Sequence, residues 1–140
     1  MKKRLFVVLL LFAALMFTAH ARAEVIVIAN PSVRVADVSR RDLRDVFIGT
    51  ASSVKDGSHL IPVLLRTGPT HSAFLAAYVG KSDMGFSASW RSLIFSGQAS
   101  MPKTLDSEAA VVQFVAHNAG AVGYISSSTP HQGVKVLAVN

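Results

Sequence analysis

The 140-residue chain contains no cysteine. Disulfides, thiol catalysis and thiolate metal sites are excluded, and so is a lipid-modified cysteine, so the fold has to be held by its core. Histidines are present but lack ligand spacing: His59, His117 and His131 are scattered, which argues against a metal centre. No Ser-His-acid constellation can be nominated. Ser72 sits between His71 and Ala73 rather than between the glycines of a nucleophile elbow. The expectation is a protein that is not an enzyme and carries no cofactor. Repeats and low-complexity segments are also missing.

One long apolar run is present, and it stands at the start. Met1-Lys2-Lys3-Arg4 is basic, Leu5 to Phe17 is unbroken apolar sequence, and Ala21-Arg22-Ala23 places small residues at a cleavage site. Thirteen residues reach only about 20 Å as a helix, short of the roughly 30 Å of a bilayer core. The segment therefore reads as a secretory signal peptide over residues 1–23, cleaved after Ala23, with release into the periplasm. The remaining 24–140 is expected to form one domain. The charge argument changes with it. The whole chain is +6, but Lys2, Lys3, Arg4 and Arg22 leave with the leader, and ten basic residues then face eight acidic ones. No basic stripe survives, which argues against nucleic acid as a partner.

Along 24–140, apolar runs alternate with amphipathic ones. Val25-Ile26-Val27-Ile28-Ala29 is β-branched and ends at Asn30-Pro31, a strand buried on both faces. Ser39 and Asp42 form a capping-box start, Gly49 a stop, and Leu43, Val46 and Phe47 share a face between them. Leu60–Leu65 is a second strand, with Pro62 marking an edge or a strand start. A helix follows to about Val79, with Phe74, Ala77 and Tyr78 inward. Ser82 opens another, with Phe86, Trp90, Leu93 and Ile94 recurring at three and four, and Asp106 or Ser107 opens a third that ends near Asn118-Ala119-Gly120. Ala121–Ile125 and Val134–Val139 close the chain as strands. The pattern predicts an α/β fold with a mixed or mostly parallel sheet flanked by helices.

The densest chemistry lies in Arg66-Thr67-Gly68-Pro69-Thr70-His71-Ser72, between a strand and a helix. A fixed forked cation, three hydroxyls and a helix start within seven residues suit a small anion. Thr70 and Ser72 are expected as helix N-caps. Ser32, after the first strand, is a further candidate hydroxyl, since open α/β sheets place ligands at strand ends.

These segments carry a family likeness. Val38-Ser39 with Asp42-Leu43-Arg44-Asp45-Val46-Phe47-Ile48-Gly49, Arg66 to Phe74, Trp90 with Ile94-Phe95-Ser96-Gly97, and Gly120-Ala121-Val122-Gly123-Tyr124 together resemble the phosphate-type substrate-binding proteins of ABC transporters. In that family the turn reads R-S-D-x-S-G-T-x-x-F and binds the oxyanion. By spacing Arg66 falls on its Arg, Thr67 on its first Ser, Thr70 on its second and Ser72 on its Thr. Gly68 stands at the Asp position and His71 at the second Gly. The family Asp accepts a proton from the ligand, favouring phosphate over sulfate. His71, when protonated, would add a donor.

The resemblance implies one lobe of the type II periplasmic-binding architecture and an oxyanion site, phosphate first, at Arg66, Thr67, Thr70 and Ser72, to which the residues themselves add His71 and Ser32 as candidates. It further implies an inner-membrane ABC permease or a sensor as partner, with a homodimer or partner lobe completing the site. A reading from another class stands beside it: a periplasmic interaction or signalling module that kept the fold and lost the ligand.

Overall fold

The expected first strand forms, but it runs against the rest of the sheet. The computed structural model describes residues 24–140, so the leader and its cleavage site lie outside the described residues. The strands are β1 (Val25–Ala29), β2 (Asp37–Val38), β3 (Ile61–Leu65), β4 (Lys103–Leu105), β5 (Ala121–Ser126) and β6 (Lys135–Val139). They form one sheet in the order β2-β6-β1-β5-β3-β4. β1 is antiparallel to both neighbours, whereas β2–β6, β5–β3 and β3–β4 pair parallel. Every strand except β1 therefore points the same way. The sheet is mixed, as the pattern predicted.

Among the described residues four helices cover it: α1 (Arg40–Phe47), α2 (Pro69–Phe74, continuing as a π-helical turn Leu75–Val79), α3 (Asp83–Phe95) and α4 (Glu108–His117). Among the described residues no helix is long and apolar enough to cross a membrane. Local signals set most helix starts. The hydroxyls of Ser39, Ser82 and Ser107 accept from the N–H groups of Asp42, Gly85 and Ala110, each satisfying a donor that the helix leaves unpaired.

The alternation of β5 divides the layers. Tyr124 points toward α1 and α2, where its ring stacks on Phe74 at 3.9 Å and meets Phe47 edge-on at 5.7 Å. Gly123 points the other way, toward α4. A Cβ there would lie 2.8 Å from the Val111 side chain, so the absent side chain is what lets α4 approach the sheet. All six residues of β5 are buried, because strands flank both edges and helices cover both faces.

Two expectations are corrected, and one of two stated alternatives is selected for Pro62. Thr70 and Ser72 are not N-caps: the helix starts earlier, with Gly68 at the cap and Pro69 in the first turn, and Gly68 makes no side-chain cap bond. The π-turn then shifts the buried face to His71, Phe74, Leu75 and Val79, leaving Ala77 exposed and Tyr78 half-buried. Pro62 is not on an edge strand. β3 is interior, and β4 pairs only with Val63 to Leu65, so Pro62 marks a strand start, where no ladder bond on that side is lost.

Candidate functional site

The parallel strands β3, β4 and β5 finish together. Leu65 lies opposite Leu105, and the Arg66 N–H donates to the Leu105 carbonyl at 2.9 Å. Three connections therefore meet at the carboxyl edge: the turn Arg66–Gly68, the turn Asp106–Ser107 at the start of α4, and the segment after Ser126. Open α/β sheets bind ligands at this edge.

Three of the expected donors there, Arg66, Thr70 and Ser72, already face a carboxylate. Arg66 Nε donates to Asp106 Oδ1 at 2.6 Å. Thr70 Oγ1 donates to Glu108 Oε2 at 3.1 Å. Ser72 Oγ donates to Asp83 Oδ2 at 3.0 Å, on the flank where α3 begins. Glu108 gathers more than one donor: its Oε1 also accepts from Thr129 Oγ1 at 3.0 Å and from the Ser126 N–H. Thr67 is exposed in the turn and makes no side-chain hydrogen bond among the described residues.

Gly68 has φ of 115°, and a Cβ there would meet nothing within 4 Å. Backbone conformation, rather than lack of room, favours glycine over the aspartate that the resemblance implied. The acceptor carboxylate beside Arg66 is instead Asp106, from another turn. Neither Asp106 nor Glu108 was legible as a site residue. Their only sequence signal was position at a helix start, Asp106 just before the Ser107 cap and Glu108 in the first turn, where acidic residues are ordinary.

Ser32 lies elsewhere. Since β1 is antiparallel, its carboxyl end sits at the amino end of β5 and β3, with Ala29 opposite Val122. The Ser32 hydroxyl accepts from the Gly120 N–H at 3.0 Å there, at the rim of a cleft of about 420 Å³ that also includes Arg34, Asp56 and His59. The rule that led to Ser32 holds for the parallel strands and reverses for this one.

His71 lies beneath the turn instead of on it. It is 5 % exposed, stacked on Tyr124 and edge-on to Phe86. Tyr124 Oη accepts from the Leu65 N–H at 3.1 Å, and the one acceptor found for its own proton among the described residues is His71 Nδ1, 2.5 Å away. That assigns His71 the neutral form with its hydrogen on Nε2. Burial lowers its pKa and the negative charge of Asp83 only partly offsets this. Burial likewise raises the pKa of Tyr124. The protonated donor expected from the sequence is therefore disfavoured.

A pH dependence follows. The folded pKa of His71 lies below 6.5, so the unfolded chain takes up this proton more readily. The contribution is complete above about pH 6.5 and is lost as pH falls from there through the folded value. Urea midpoints are expected to be flat between about pH 8 and 7 and to drop by about pH 5.5, before most carboxylates titrate. His71→Gln should remove that part of the drop. An equal drop in this variant would show that His71 is not its source.

No protein-family model matches the chain, and no curated protein matches it significantly. Solved structures do. The chain aligns with an ABC-type phosphate transport receptor from Vibrio cholerae at 18% identity and TM-score 0.63, over 82% of this chain and 45% of that one. It aligns with PstS from Borrelia burgdorferi at 14% identity and TM-score 0.62, over 83% and 47%. A proposed phosphate ABC transporter substrate-binding protein from Clostridium perfringens, solved with bound phosphate, gives 19% and 0.62, over 82% and 44%. The chain thus has the fold of part of these receptors and spans under half the length of each.

Proposed function

We propose that residues 24–140 form a single exported receptor-like lobe that binds a small oxyanion, phosphate before sulfate, at the carboxyl edge of the sheet. The observation that carries this reading is the side-by-side placement of donors and carboxylates: Arg66 with Asp106, and Thr70 with Glu108. Phosphate keeps protons near neutral pH and can donate to such carboxylates while accepting from Arg66 and the hydroxyls of Thr67 and Thr70. Sulfate carries no proton to give, and an acceptor-only carboxylate repels it. The solved relatives include phosphate receptors, which supports phosphate as the first ligand to try. The edge is open to solvent, so each charged contact contributes about 1 kcal/mol or less. Affinity in the range of roughly millimolar to high micromolar is expected. A second copy or a partner lobe closing over the edge would tighten it, and an inner-membrane ABC permease or a sensor would be the receiving partner.

A second reading rests on Glu108. Three donors converge on this one carboxylate, so the chain itself supplies an anion to its own cradle. On that reading the lobe is a periplasmic interaction module with the ligand position closed.

Calorimetric titration of the purified protein at low salt separates the two. Saturable heat with phosphate, weaker heat with sulfate and loss of the phosphate signal in Arg66→Ala are the expected results. No heat with phosphate at millimolar concentration, restored in Glu108→Ala, would establish the closed module instead. No heat in either protein would end the oxyanion reading.

A further inference from the structure

A groove separates α3 from the β3–β4 side of the sheet, on the flank of the carboxyl edge. Its volume is about 310 Å³ and its lining is mostly apolar, including Leu64, Phe86, Trp90, Ile94 and Met101. Ile94 is 37% exposed and Met101 65%, so apolar surface is open to solvent at its mouth. The charged residues that line it are both arginines, Arg66 and Arg91, while Asp106 lies behind Arg66 and Asp83 lies on the His71 side. Arg66 is shared with Asp106, but Arg91 has no carboxylate within 4.0 Å among the described residues, and its Nε makes only a 3.5 Å contact to the Ser87 carbonyl.

One polar group is also aimed into the apolar part. His71 lines the groove although it is almost wholly buried. Its Nδ1 is taken by the Tyr124 hydroxyl, and Nε2 has no partner among the described residues. No side-chain polar atom there is both buried and unpartnered. Nε2 therefore opens onto the groove, where it presents an N–H held in direction by the Tyr124 bond. Solvent in the open groove can serve this donor, and an acceptor on a ligand can replace that water.

We propose that this groove is a second binding site, for a small amphipathic carboxylate: an apolar body lies against Phe86, Trp90 and Ile94, and the carboxylate meets Arg91 and the His71 N–H. At roughly 30 Å³ per heavy atom the space holds about ten such atoms, the size of a medium-chain acid. An apolar lining with a few convergent polar groups is the usual make-up of a small-molecule pocket. The inference goes beyond oxyanion binding at the sheet edge: Arg66 borders both places, but the contacts proposed here, Arg91 and the His71 N–H, are not those proposed for the oxyanion. Inorganic phosphate has no apolar body to fill the groove.

Trp90 is the only tryptophan in the chain, and it lines this groove, so its fluorescence reads the site directly. Titration of the purified protein with octanoate is expected to change that fluorescence saturably, while acetate and phosphate leave it unchanged. Octan-1-ol, which keeps the body and lacks the charge, should bind about five-fold more weakly, the effect of one exposed charge contact. Arg91→Ala should weaken octanoate by the same factor and leave octanol alone. Ile94→Glu should abolish both, with an unchanged thermal midpoint showing that the fold is intact. Absence of saturation by roughly ten millimolar octanoate would overturn the proposal. So would equal binding of octanoate and octanol with no effect of Arg91→Ala, which would reduce the groove to a non-specific apolar surface.

Discussion

Phe74→Ala is expected to cost about 3–5 kcal/mol of stability, the range for deleting a buried aromatic side chain. Phe74 is wholly buried. Its ring stacks on Tyr124 with centroids 3.9 Å apart and planes 2° from parallel, and it meets Phe47 edge-on at 4.9 Å. Removing it takes one face from Tyr124 and leaves a cavity bounded by α1, α2 and β5, three elements that cannot all close inward at once. Domains of this size are stable by about 5–15 kcal/mol in total, so the loss is a large share. Phe95 is the internal control. It is 96% exposed, and Phe95→Ala should stay within about 0.5 kcal/mol. Urea denaturation of the two variants checks this, and comparable midpoints would refute the assignment of the aromatic stack as the centre of the core. The stack matters beyond stability, because Tyr124 also holds the Leu65 N–H and His71, and so fixes the start of the turn that carries Arg66.

Asp106→Asn is expected to invert the anion preference at the sheet edge. In the natural protein Asp106 is an acceptor-only group beside Arg66, suited to an oxyanion with a proton to give. The asparagine removes the negative charge and adds two donors. Sulfate affinity should rise about five-fold and phosphate affinity should fall by a similar factor, each the work of one exposed charged contact. Folding should change little. The Arg66 and Asp106 side chains are 63% and 80% exposed, and surface pairs of this kind contribute at most about 1 kcal/mol. The inversion should shrink at high salt, where screening acts within a few ångströms. Calorimetry with both anions measures it directly. An unchanged phosphate-to-sulfate ratio would remove Asp106 from the site.

Local chemistry carried much of this fold in plain view. The Ser39–Asp42 spacing and Gly49 bounded α1, and the buried face of Leu43, Val46 and Phe47 followed from helical periodicity. β1, β3, β5 and β6 were visible as apolar runs between turn residues. β2 and β4 were not, since strands of two and three residues are too short to show any period, and only their neighbours make them strands. The early start of α2 was signalled by Pro69, but the hydroxyls beside it drew the boundary too late. With the helix start placed later, His71 read as a donor of the turn. Starting the helix at Pro69 turns it inward, under Tyr124.

The sequence by itself determined the four longer strands and the helices, the exclusion of cysteine chemistry, and Arg66 and Thr70 as polar groups of one strand-to-helix junction, because each depends on residues close along the chain. Tertiary structure alone decided the direction of β1, which carries Ser32 to the opposite end of the sheet. It also decided the meeting of Arg66 with Asp106 and of Thr70 with Glu108, partners 40 and 38 residues apart. Those pairings depend on which strands lie side by side and which way they run. Strand direction and order follow from the burial of the whole set of apolar faces at once, and no local spacing encodes them.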